Sequence, residues 1–73
     1  MIDLIGFVNA GHKVIKQGNK TVIAQRESDG QCVAWSYKIS PDGEPDFFWG
    51  RYGTLDTSED AFKKKERGEY SGG

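Results

Sequence analysis

Few side chains in this sequence could carry covalent or acid–base chemistry. Histidine occurs once, at His12, and cysteine once, at Cys32. A nucleophile needs a base within hydrogen-bonding reach, and the base needs a third group to orient it. His12 follows Gly11 with no serine or acid at motif spacing, so it reads as a surface histidine at the start of a strand. Cys32 has no sequence neighbour that would lower its pKa, and it reads as an inert thiol behaving as a small hydrophobe. One Cys and one His cannot supply the four ligands of a structural zinc site. A single cysteine also cannot pair within the chain. No catalytic constellation, metal or cofactor is therefore expected, and the chain reads as a non-enzyme.

Two charged clusters invite other chemistries. The carboxylates Asp42, Glu44 and Asp46 lie in one loop, but Gly43 follows the first acid directly and Pro45 stiffens the middle. A calcium loop wants its glycine at position six and a glutamate at position twelve, so a solvated hairpin loop is the better reading. The run Lys63-Lys64-Lys65-Glu66-Arg67 resembles a phosphate-binding cluster in composition only. Successive helical residues are about 100° apart around the axis, so three lysines fan out rather than forming one patch. They also suit the C-terminal end of a helix dipole.

The strongest signal is aromatic density. Trp35, Tyr37, Phe47, Phe48, Trp49 and Tyr52 fall within two neighbouring strands. Alternation along the last strand puts Phe48 and Tyr52 on one face and Phe47, Trp49 and Arg51 on the other, next to Lys38 of the adjacent strand. Exposed aromatics beside Arg and Lys suit a protein interface. Trp49, Arg51, Phe47 and Lys38 are thus the candidate contact surface, for another protein or a second copy of this chain. Three alternatives stay open: the surface stacks single-stranded nucleic acid, the chain is a structural subunit that acts only as a homo-oligomer, or the N-terminal segment covers the surface and all of these residues are core. The first reading predicts that Trp35 is buried and Trp49 at least partly exposed.

The elements that position these residues follow from pattern. Leu4, Ile5 and Val8 sit at helical spacing behind Asp3, which predicts a short N-terminal helix stopped at Gly11, with a strand as the alternative. His12–Gln17 and Lys20–Glu27 read as strands joined at Gly18-Asn19, a pair that tolerates the positive φ of a tight hairpin. Ser28-Asp29-Gly30 makes the next turn. In the third run, Gln31–Ser40, Val33, Trp35, Tyr37 and Ile39 share a large apolar face, assigned to the core. Phe47–Tyr52 is the fourth. A capped helix follows, with Asp56 or Thr57 as N-cap, Ala61 and Phe62 facing inward, ion pairs at Glu59–Lys63 and Asp60–Lys64, and Gly68 closing it. The fold class is α+β: an antiparallel meander of three to four strands with the C-terminal helix packed on one face. Residues 1–68 form one small domain, and 69–73 a flexible tail.

Bulk properties bound the function. A chain of 73 residues buries about 60% of the surface that it exposes when unfolded, so its stability is marginal unless packing or a partner adds to it. Ten Lys and Arg against eleven Asp and Glu give a formal charge of −1, which argues against a general nucleic-acid binder. No apolar stretch approaches a membrane span, no leader is visible at the start, and the lone thiol fits the cytoplasm. The stretch from Trp35 to Tyr70, carrying Phe48-Trp49-Gly50-Arg51-Tyr52-Gly53 and Ser58-Glu59-Asp60-Ala61-Phe62, resembles small uncharacterised proteins carried on mobile genetic elements of gut Firmicutes. It covers about half of the chain. The resemblance implies an accessory role: regulation, anti-defence or partner binding.

Overall fold

A computed structural model describes residues 3–68 of the chain. Five strands, β1 (Val8–Asn9), β2 (His12–Gln17), β3 (Thr21–Arg26), β4 (Cys32–Ile39) and β5 (Pro45–Gly53), precede one helix, α1 (Leu55–Glu66). The strands pair antiparallel in sequence order, so the sheet is a pure meander with β1 and β5 at its edges. The α+β class and the C-terminal helix agree with the sequence reading, but the sheet has five strands rather than three to four. The expected tail lies outside the described residues.

The expected N-terminal helix is absent, and Gly6 shows why. It adopts φ +93° in a turn closed by the Phe7 N–H donating to the Leu4 carbonyl at 2.9 Å. That is the geometry a type II turn asks of its third residue, and it ends any helix before one could nucleate. The chain then runs back along β2. The Gly6 N–H donates to the Val14 carbonyl (2.9 Å) and the Val14 N–H to the Phe7 carbonyl (2.8 Å). Ala10 and Gly11, both at positive φ, form the two-residue turn between β1 and β2. Of the residues at helical spacing, only Leu4 is buried; Ile5 and Val8 are exposed.

Both faces of the sheet are covered, by different segments. On one, Leu4 packs with Val14, Val22, Ala24, Val33 and Trp35, and Tyr37 and Phe47 close the cluster. The helix lies on the other. Its buried residues Ser58, Ala61, Phe62 and Lys65 meet the face bearing Ile23, Ala34 and Ser36, as the Lys65–Ser36 contact requires. The apolar Trp35 face is therefore core as expected, but the N-terminal segment covers it, while α1 sits on the opposite side. Helix capping also differs from the sequence reading. Thr54 is the N-cap, accepting from the Thr57 N–H at 3.3 Å, so Asp56 and Thr57 fall inside the first turn. Gly68 follows the helix at φ +77°, and Asp60 pairs with Lys64 at 3.2 Å.

The two covers are fastened to one loop, Gly18–Lys20. From the helix side, the Glu66 carboxylate accepts the N–H groups of Asn19 (2.7 Å) and Lys20 (2.6 Å). From the other side, the Tyr37 hydroxyl donates to the Gly18 carbonyl (2.8 Å) and accepts from Gln17 Nε2 (3.2 Å). The Gln17 amide oxygen in turn takes the Leu4 N–H at 2.7 Å. Gly18 is needed for close approach rather than for the positive φ expected of it. A Cβ there would lie 2.7 Å from both the Glu66 carboxyl and the Phe62 ring. Replacing Glu66 by Ala is expected to cost about 1–2 kcal/mol, since water can partly re-satisfy the exposed N–H groups. Gly18→Ala is expected to cost more, because buried Phe62 must move. Urea titration of both variants checks this; a Gly18→Ala protein as stable as wild type would show that the loop is not clamped.

Candidate protein-binding edge

Strand β5 pairs with β4 on one side only, and its shape is set by one bulge. Ala34 opposes Arg51 and Ser36 opposes Phe48, so Trp35 alone stands against the two residues Trp49 and Gly50. The extra residue is Trp49, at φ +52°. A bulge of this kind inserts one residue and reverses the inward–outward phase beyond it.

That reversal reassigns the aromatic faces. Phe47 and Tyr52, expected on opposite faces, both lie on the Trp35 side, opposite Tyr37 and Val33 respectively. Phe48 and Arg51 lie on the helix side, opposite Ser36 and Ala34. Phe47 is therefore not part of an outer surface with Trp49 and Arg51. It is half-buried, with its ring 5.2 Å from that of Trp35 and 5.7 Å from that of Phe7. Lys38 is exposed but pairs in register with Asp46, four residues along β4 from the partner of Arg51. The four expected contact residues thus do not form one patch. Trp49 and Arg51 do stand together on the exposed strand, and the two tryptophans behave as expected: Trp35 is 5% exposed and Trp49 52%.

The Trp49 ring is braced edge-on against Phe48, with centroids 5.0 Å apart. Arg51 borders an open cleft of about 300 Å³ between β5 and the first half of α1, lined also by Asp56, Thr57, Asp60, Ala61 and Lys64. Acidic and basic groups alternate around it, so the cleft has no single sign of charge to concentrate an anionic polymer.

The groups with reactive potential are occupied in packing. His12 is not at the surface, as expected from the sequence, but buried. Its Nδ1–H donates to the Ala10 carbonyl at 2.8 Å, leaving Nε2 to accept from Gln31 at 3.4 Å. Its ring meets those of Trp35 and Tyr52 edge-on, each at 5.7 Å. The missed signal was register: His12 is two residues before the buried Val14, on the same side of β2. Cys32 is buried, and burial pushes its thiol pKa up, away from the reactive thiolate. The Asp42 carboxylate is turned into its own loop by Ser40 Oγ and the Glu44 N–H, which hold it below the usual carboxylate range. Among the described residues no three His, Cys, Asp or Glu side chains cluster as a metal site would require.

The nearest approach to a nucleophile and base is Ser36 Oγ with Lys65 Nζ at 3.3 Å, both buried under α1. Thr21 Oγ1, on the residue paired with Ser36, and Ser58 Oγ are buried there without a hydrogen-bond partner. The sequence reading placed Lys65 on a solvated helix end; instead it joins this small polar layer in the sheet–helix interface. The layer is buried between the sheet and α1.

Comparison with family models, with curated proteins and with solved structures finds no match. No described helix is long and apolar enough to cross a membrane.

Burial lowers the Lys65 pKa below its ordinary 10.5. The unfolded chain then binds more protons between the folded-state value and 10.5, so this group makes stability rise with pH across that window. The raised thiol of Cys32 acts with the opposite sign above 9.0, so the two must be separated. The pH-dependent gain of wild type relative to Lys65→Met, from urea unfolding at neutral and alkaline pH, is expected to be positive. Parallel pH profiles for the two proteins would place the ammonium in solvent.

Proposed function

We propose that this protein is a non-enzymatic protein-binding module whose contact element is the free edge of β5, centred on Trp49. One observation carries the reading. A bulky aromatic residue is held at positive φ, a conformation that costs about 1–3 kcal/mol away from glycine, and half of its surface is left in water. Neither the strain nor the exposure helps the isolated domain. Both make sense if the bulge exists to project an indole toward a partner, where Trp and Arg dominate binding energy. The bulge also keeps a long edge strand from pairing indiscriminately.

The nucleic-acid alternative has less support. Arg51 shares its cleft with Asp56 and Asp60, and Lys38 stands opposite Asp46, so no basic track accompanies the exposed aromatic. An accessory role in a reducing compartment, acting through partner binding, fits both the buried free thiol and the resemblance carried by the β5 and α1 segments.

Trp49→Gly separates stability from contact. It removes the φ penalty and is expected to melt no lower than wild type, while abolishing association measured by crosslinking and pull-down. Loss of a buried aromatic would instead cost about 3–5 kcal/mol. A Trp49→Gly protein that is unfolded, or that retains every wild-type association, would sink the proposal.

A further inference from the structure

We infer that the partner at the β5 edge is a second copy of this chain, joined antiparallel across a two-fold axis so that Asp46 of each copy meets Arg51 of the other. The inference rests on the edge-contact reading above and assigns its occupant.

The argument is one of register. A two-fold axis perpendicular to a sheet places like faces side by side, so each residue must meet one on the same face of the other copy. In an unbroken strand this restricts pairing to residues an even number apart. The bulge at Trp49 changes the rule, because the two halves of β5 are out of phase. Before it, Asp46 and Phe48 face the helix side, and Pro45 and Phe47 the Trp35 side. After it, Arg51 faces the helix side, and Tyr52 the Trp35 side. Gly50 also belongs to the Trp35 side, since a Cβ there would strike the Trp35 indole at 2.7 Å. Pairings that cross the bulge are therefore face-matched when the residues are an odd number apart.

One such register sets the dyad between Phe48 and Trp49. Pro45 then meets Tyr52 of the other copy, Phe47 meets Gly50, and Phe48 meets Trp49. Asp46 meets Arg51 on the helix side, twice by symmetry. Proline against tyrosine and phenylalanine over glycine are compatible neighbours, and the dyad falls at the bulge, between Phe48 and Trp49. Charge and overlap within the strand together select this register over its neighbours. Asp46 and Arg51 are both exposed, and neither takes part in the Arg26–Asp29 or Lys64–Asp60 ion pair; within its own copy Asp46 has only Lys38 across the strand, and Arg51 borders the cleft with Asp56 and Asp60. Shifting by two residues one way puts Arg51 opposite Phe48 and Asp46 opposite Gly53; shifting the other way puts Arg51 opposite Glu44, outside β5, and sets Asp46 against Trp49. The formal charge of −1 per chain opposes self-association only weakly.

Sedimentation equilibrium of the full chain from about 10 to about 500 µM tests this. Wild type is expected to approach twice its 8.1 kDa mass. Arg51→Asp and Asp46→Arg should each weaken association about tenfold or more, because like charges then face one another. The double variant Asp46→Arg/Arg51→Asp should recover dimer, since each new arginine meets a new aspartate. Circular dichroism confirms that all the variants are folded, and Arg51→Gln, with partial weakening expected, guards against a folding defect in the reversal. A wild-type chain that stays at its monomer mass overturns the inference, as does a folded double variant as monomeric as the single ones. Trp49-dependent capture of a different protein by a monomeric wild type would overturn only the choice of occupant. An unfolded Trp49→Gly protein would remove the edge reading as well.

Discussion

Everything in this small domain is tied to the loop between β2 and β3. The sheet has two apolar faces and a single helix, so it needs a second cover, and the N-terminal segment supplies it with Leu4. Neither cover is large, and each is secured by hydrogen bonds to the same few backbone groups. Glu66 reaches from the last turn of α1 to the Asn19 and Lys20 amides. The Gln17–Tyr37 pair reaches from the other side to Gly18 and Leu4. The lack of a Cβ at Gly18 allows the helix end to come close enough for this to happen. Local fraying at either terminus is therefore coupled through one loop, which makes cooperative unfolding the expected behaviour of so small a core.

Much of this architecture was legible in the sequence. The Val33–Ile39 alternation marked a core strand, and acids before bases marked α1. Both patterns depend only on local periodicity, and both elements form where expected. Two things could not be read. The bulge in β5 is a pairing irregularity set by where Trp35 and its neighbours pack. A strand pattern carries no sign of it beyond the glycine at position 50, so alternation was carried straight through Trp49 and put Phe47 on the wrong side. The N-terminal segment failed differently. Leu4, Ile5 and Val8 fit a helix by spacing, but Gly6 in their midst favoured a turn, and pairing with β2 then decided the outcome. His12 was misplaced because a lone histidine near glycine suggests a surface, whereas its register with Val14 suggests the interior.

The candidate site was half visible for the same reason. Trp49 and Arg51 could be singled out because an aromatic surplus needs somewhere to go. Their companions could not, because membership of a face depends on the phase that the bulge resets. The polar layer of Ser36, Lys65, Thr21 and Ser58 gave no sequence signal at all. Lysine in a run of lysines looks solvated until the helix is rotated onto its sheet. Burying these groups costs stability that an apolar layer would not.

The inequality of the two sheet edges has a consequence for how far such a molecule can assemble. A sheet extends indefinitely only when each added copy offers a fresh edge as good as the one it covered. Here one edge is nine residues long and the other, β1, is two. Joining two long edges leaves outward only β1 and the end of β2 beyond it, an edge broken by the irregularity between Val14 and Lys16 and so a poorer template for another strand. Growth by strand addition is therefore disfavoured after the first joining, so that the domain caps a sheet more readily than it propagates one.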